Sequence, residues 1–264
     1  MKFEKTAFLF LACLISTTSF ADVGDINAAN NQVGAQIQSG NVDYKETGNG
    51  TLFDTESGHV TGYGLSASVM KDILLGHDYL DVQYSEFNGQ TDYVGAPLDG
   101  GAYGSATGKS DAKIADFSLR YGKGFAIHNQ FMVTPYAEFG YYKWDRDVGY
   151  MEHYTHKYYG VGALGQYSPA SKWVLTATAL IGRTYGSKID VVAPFGFTAD
   201  LRNSAIYKAG VSVDYALSKN LHANAGIDYT SWKYGASAVQ ASGYYEPDSE
   251  TKDTIIKAGI GYAF

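Results

Sequence analysis

The sequence predicts an all-β chain: a transmembrane antiparallel up-and-down β-barrel of about ten strands, with short periplasmic turns and long extracellular loops. Three observations predict it. Apolar residues recur with a period of two; the opposite face of each such stretch is rich in Gly, Ser and Thr; and tyrosines gather at both ends of the stretches. The composition agrees. The 264 residues include 31 Gly, 23 Tyr and 13 Phe, but only 5 Pro, 4 Met and 18% charged residues. Disordered chains are poor in aromatics, and helical bundles lean on Ala, Leu, Glu, Lys and Arg. The net charge of −7 argues against nucleic acid as a partner.

The first element is an address. Lys2 and Lys5 precede an apolar run from Ala7 to Ile15, and Ser19-Phe20-Ala21 has the small-x-small form of a cleavage site. Residues 1–21 therefore read as a secretory signal peptide, cut near Ala21. Cys13 is the sole cysteine and falls inside it, so the mature chain is expected to hold no disulfide, thiolate nucleophile or Cys-ligated metal. Residues 22–32 are expected to form a short periplasmic N-terminal segment, and residues 33–264 the barrel.

The strands follow by alternation. In Ala205–Leu217 the apolar row is Ala205, Tyr207, Ala209, Val211, Val213, Tyr215 and Leu217, set against Lys208, Gly210, Ser212 and Asp214. Leu221–Tyr234, Thr254–Phe264, Lys113–Phe125, Phe131–Trp144 and Trp173–Tyr185 repeat the pattern. Val33–Tyr44, Val60–Val69, Tyr79–Phe87 and Tyr158–Tyr167 complete the ten with weaker alternation. Short connections near 71–77, 127–130, 168–172 and 218–220 alternate with longer polar ones over 44–58, 88–112, 145–153, 187–203 and 236–253. Short turns at one end and long loops at the other is the plan of an outer-membrane barrel.

The glycine-rich face decides which side meets lipid. Gly is a poor choice for a solvated strand surface, but it suits a narrow lumen that side chains must share. Trp173, Tyr167, Tyr215, Tyr262 and Phe264 then form an aromatic girdle at the turn end. Tyr63, Tyr141, Tyr159, Tyr185, Tyr207 and Tyr229 form its counterpart at the loop end.

Val133-Thr134-Pro135-Tyr136-Ala137-Glu138, Leu217-Ser218-Lys219-Asn220-Leu221 and the ending Ala258-Gly259-Ile260-Gly261-Tyr262-Ala263-Phe264 carry a resemblance. The chain resembles Gram-negative outer-membrane β-barrels of the small opacity/surface-protein superfamily over nearly all of its mature length. The resemblance implies the outer membrane of a Gram-negative bacterium, contact with its lipid and lipopolysaccharide, and Ile260, Tyr262 and Phe264 as the signal read by the barrel-assembly machinery. It implies no activity.

Candidates for chemistry are few. No G-x-S-x-G, H-E-x-x-H or P-loop motif occurs. Ten strands bring the omptins to comparison, outer-membrane proteases that resemble this chain in strand number and use an Asp pair and an Asp-x-His couple to activate water. Asp145, Asp147, His153 and His156 are the catalytic candidates on that likeness. No Asp-x-His occurs, Asp145 and Asp147 share the outward parity of Tyr141, and His153 and His156 fall on opposite strand faces. No metal site and no cofactor is expected.

Asp116, Arg120, Glu138, Lys208, Asp214, Asp228 and Lys257 take the inward parity. Unpaired charges in a narrow tube are costly, so they are expected to form a lumen charge network. The last loop joins Tyr244 and Tyr245 to Glu246, Asp248 and Glu250, a candidate for contact with an extracellular protein or host-surface ligand. The function expected is a non-enzymatic surface barrel that binds or adheres through its loops. A narrow porin-like solute channel is the alternative, and an omptin-like endopeptidase a further one.

Overall fold

The protein is described as a computed structural model covering residues 22–96 and 101–264, so the expected signal peptide lies outside the described residues. Alternation organises the sheet. Along β6 (Phe131–Asp147) the outward row is Phe131, Val133, Pro135, Ala137, Phe139 and Tyr141, while Met132, Thr134, Tyr136, Glu138, Gly140 and Tyr142 are buried inside. Successive strand side chains point to opposite faces, so one row faces outward and the other fills the tube.

The strands are β1 (Gln32–Gly48), β2 (Thr51–Lys71), β3 (Asp78–Gly95), β4 (Ala106–Lys123), β5 (Phe125–His128), β6, β7 (Met151–Tyr167), β8 (Trp173–Val191), β9 (Phe197–Asp200), β10 (Ala205–Ala216), β11 (Leu221–Tyr234) and β12 (Asp248–Ala263). Two of them, β5 and β9, are four-residue flaps paired to β6 and β8. The other ten form a closed antiparallel up-and-down barrel. Each pairs with its sequence neighbour, β8 pairs β10, and β12 closes on β1 over sixteen residues from Gln32↔Ala263 to Thr47↔Asp248. Closure leaves no strand edge, which lipid does not tolerate.

Most strands outrun the expected boundaries at the loop end. A barrel strand needs roughly 9–11 residues to cross lipid, yet β1 has 17 and β2 has 21. The expected first loop over 44–58 is largely sheet, and Asn49-Gly50 makes its hairpin with φ of 52° and 80°. Positive φ at both central residues matches the right-handed strand twist. The cause is the change of solvent. Beyond Tyr141 the outward row continues as Lys143, Asp145 and Asp147, so the outward face turns polar while the sheet persists.

The N-terminal segment forms α1 (Val23–Ala29), capped by the Asp22 side chain. Its Ile26 is fully buried among Met70, Tyr79, Met132, Tyr136, Leu164, Val174 and Leu180. Polar bonds hold it at the turn end. Asn30 and Gln166 exchange side-chain hydrogen bonds of 2.8 and 2.9 Å, and Asn31 bonds both the N–H and the C=O of Met70. The helix and the following Asn30 and Asn31 therefore stop that end of the lumen.

Candidate functional site

Above α1 the lumen is a polar cavity of about 160 Å³, lined by Gln36, Ser66, Gln83, Thr178 and Ser212 among others. Four of the seven predicted lumen charges, Arg120, Asp214, Asp228 and Lys257, line it, and Glu138 and Lys208 are tied to it through Arg120. Glu138 is held by Arg120 at 2.5 Å, Lys208 at 3.0 Å and the Tyr158 hydroxyl at 2.7 Å. Arg120 also lies 3.6 Å from Asp81. Lys257 pairs with Asp228 at 2.5 Å, and the His222 ring with Asp214 at 2.5 Å. Asp116 forms no ion pair within 4.0 Å among the described residues, though it shares the inward face. Glycine makes the room. A Cβ on Gly140 would collide with the Tyr158 ring, the side chain that braces Glu138 and Lys208.

A second closure lies above the polar cavity. Val42, Tyr44, Tyr142, Trp144, Tyr154, Ile189, Trp232 and Tyr234 are buried inside the barrel. Their rings interlock: Tyr142 meets Trp232 at 4.7 Å, Tyr44 meets Trp144 at 5.2 Å, and Tyr154 stacks on Tyr234 at 6.0 Å. His156 belongs to this layer. It faces inward, stacks on Tyr142 and bonds the Tyr234 hydroxyl at 2.6 Å.

The acidic site begins at this layer's upper edge. Arg146 is 1% exposed and holds four carboxylates: Glu56 at 2.5 Å, Asp54 at 2.9 Å, Glu152 at 3.1 Å and Glu46 at 3.3 Å. Tyr44 donates to Glu46 at 2.6 Å, and Tyr154 donates to Glu246 at 2.7 Å. Burial first, and then the Asp54 charge, push Glu46 up to about 8. Burial likewise raises Asp54, Glu152 and Glu246 against the pull of Arg146. Above these groups a cavity of about 360 Å³ opens at the loop end, walled by Phe53, Tyr93, Tyr150, Phe195, Phe197 and Tyr244. The hydrogen-bond-accepting capacity of its acids exceeds what one guanidinium supplies.

The expected loop residues divide between roles. Tyr244 and Tyr245 are exposed and line the cavity, and Glu246 turns inward to its floor. Asp248 accepts from the Ala236 N–H at 2.9 Å, and Glu250 pairs with Lys45 at 2.8 Å. The four catalytic candidates do not converge. Asp145 and His153 pair at 2.5 Å, but on the outer wall beside Lys143; Asp147 there accepts from the Gly149 N–H at 3.0 Å, while His156 is inside. Ile260, Tyr262 and Phe264 are 58%, 56% and 57% exposed, an unbroken outward row at the turn end.

Sequence reasoning missed Arg146 and its four acids. The signal was present: once Asp145 and Asp147 face outward, Arg146 must face inward above Tyr142 and Trp144.

No family model and no curated protein matches the chain. Its fold is similar to that of the outer membrane protease OmpT from Escherichia coli, with a TM-score of 0.57 and 10% identity over 94% of this chain and all of that one. The outer membrane protein OprG from Pseudomonas aeruginosa is a weaker likeness, with a TM-score of 0.40 and 13% identity over 89% of this chain and 98% of that one. At such identities the likeness shows the fold alone. The closed ring of ten antiparallel strands and its outward apolar belt define an up-and-down β-barrel of the membrane-spanning kind, the fold that the OmpT likeness also shows.

Proposed function

We propose that this protein is a non-conducting surface barrel of a Gram-negative outer membrane, non-enzymatic, which binds an extracellular ligand at its loop end. One observation carries the reading: the lumen is stopped twice, by α1 around Ile26 and by the aromatic layer around Tyr142, Trp144 and Trp232. Side chains fill small barrels, whereas barrels of roughly 16–18 strands leave an aqueous channel. The charges between the two stops mostly pair with each other. The cavity above the upper stop opens outward and is the natural place for a ligand.

The protease reading finds no support in the outer-wall position of Asp145 and Asp147, because a substrate bond there would have no cleft to hold it. The channel reading is tested by conductance. Purified full-length mature protein, folded and reconstituted in a planar bilayer, is expected to give no steady current. Reproducible stepwise conductance from folded protein would overturn the reading.

A further inference from the structure

The outer wall of β4, β6, β7 and β8 carries a groove of about 570 Å³, floored by Ala137 and walled by Leu119, Phe139, Tyr159, Val161 and Ile181. Its shape follows from register. On the outward face Ala137 stands between Tyr121 of β4 and Val161 of β7, a methyl between two larger side chains. These rows face lipid, so the groove suits a hydrocarbon chain rather than a water-borne ligand.

Cations stand at one end of it. Arg183 lines the groove and pairs in register with Tyr159; Lys157 lies two residues before Tyr159 on β7, diagonal to Arg183. Diagonal neighbours lie roughly 7–8 Å apart, a span that two side chains of this length close around one phosphate. Both residues are exposed. Other lysines of the loop-end outer wall are paired: Lys45 with Glu250 at 2.8 Å, Lys113 with Glu86 at 3.2 Å, and Lys143 with Asp145 at 2.8 Å. Arg183 and Lys157 have no carboxylate within 4.0 Å among the described residues. No acid takes a neighbouring register position either. Lys157 lies between Tyr141 and Tyr185, and Arg183 between Tyr159 and Ala205. Like charges on adjacent strands repel unless an anion lies between them.

The surrounding rings give the depth. Tyr159 and Tyr185 belong to the loop-end girdle, their rings 5.8 Å apart, with Phe139 6.0 Å from Tyr185. Girdle aromatics mark the headgroup level. Arg and Lys at that level lay their stems along hydrocarbon and carry their charge to the polar zone.

We propose that Arg183 and Lys157 hold a phosphate of the lipid A part of a lipopolysaccharide molecule, with one acyl chain lying in the groove over Ala137. The outer-membrane reading, on which this rests, puts the loop end at the outer leaflet. A phosphorylated glycolipid there supplies both the anionic head and the apolar chain.

Full-length mature protein folded in detergent micelles is titrated with bisphosphorylated lipid A, dephosphorylated lipid A and phosphatidylglycerol, and bound lipid is counted by native mass spectrometry. Bisphosphorylated lipid A is expected to bind roughly tenfold or more above the other two, the scale of one or two charge-assisted hydrogen bonds. Lys157→Gln combined with Arg183→Gln is expected to abolish that preference. Ala137→Trp fills the groove but leaves both cations, and is expected to weaken lipid A by roughly fivefold or more. Lys113→Gln, at a paired lysine, is expected to leave lipid A binding unchanged. Heat-modifiable gel migration checks that each variant is folded. Phosphatidylglycerol or dephosphorylated lipid A binding as tightly as lipid A, or a folded double variant that binds lipid A like the parent, would each overturn the proposal. Full lipid A binding by folded Ala137→Trp would overturn the groove as its seat. If lipid A fails to bind a protein that fractionates with outer membranes, the lipid site alone falls; recovery of the protein outside outer membranes would remove the reading on which it rests.

Discussion

The lower and upper halves of the barrel solve the same problem with opposite charge. In the lower lumen one carboxylate, Glu138, is shared by two cations, Arg120 and Lys208. In the upper lumen one cation, Arg146, is shared by four carboxylates. The first arrangement is locally satisfied and closes on itself, as a structural brace should. The second leaves a surplus of acid that protons must relieve. Both centres are buried, so burial does not separate them; the balance of charge does.

The strongest way to break this contrast is to remove each centre in turn. Arg146→Met strands Glu46, Asp54, Glu56 and Glu152 without their cation. Losing one partner of a buried pair typically costs about 3–5 kcal/mol, and the loss is expected at pH 8. Lowering the pH should restore part of it, because protonated carboxylates no longer need the guanidinium. Glu138→Gln leaves Arg120 and Lys208 without their shared carboxylate and should cost about 3–5 kcal/mol by the same rule, toward the lower end because the Gln oxygen still accepts. Acid should not rescue it, because Arg120 and Lys208 stay charged. Urea unfolding in lipid vesicles at pH 8 and pH 5 measures both. Equal acid rescue of the two variants would erase the distinction.

A smaller effect sharpens the upper half alone. Glu46 is surrounded by Asp54 from β2, Arg146 from β6, Glu152 and Tyr154 from β7, Tyr44 on its own strand, and Glu246 from the β11–β12 connection. Its folded-state pKa is raised from the ordinary 4.5 to about 8, so folding takes up a proton. The stability this group contributes is complete below about pH 4.5 and is lost as the pH rises through about 8. Glu46→Gln cannot ionise and keeps an acceptor for Tyr44. It should therefore match the parent near pH 4.5 and exceed it in unfolding midpoint at pH 8. A lower midpoint than the parent at pH 8 would show that ionised Glu46 helps the fold.

The same division explains what could be read in the sequence. In the lower half lipid forces the outward row to be apolar, so Ala205–Leu217 or Phe131–Tyr141 reveals both the strand and its inward charges. Above Tyr141 water covers the outer wall and the rule lapses. There Asp54 and Glu56 are buried while Phe53 and Thr55 are half-buried and not apolar throughout, so amphipathic alternation reads that stretch as loop. Arg146 was hidden between two acids that looked like surface charge. The four carboxylates come from β1, β2 and β7, and only the register brings them to one guanidinium. Helix α1 escaped because its seven residues carry too little periodic signal, and its burial depends on a lumen that exists only after closure.

The central claim is a lumen closed at both ends beneath an open cavity, and cysteine accessibility tests it most directly. With Cys13 replaced by Ser, the background has no cysteine. Tyr244→Cys places a thiol in the open cavity, and Ser212→Cys places one in the polar space between the two stops. A bulky charged maleimide is added to folded protein in micelles, where both ends are exposed. The account predicts rapid labelling at 244 and protection at 212 until the barrel is unfolded. Labelling at 212 as fast as at 244 in the folded state would show an open lumen and contradict the account.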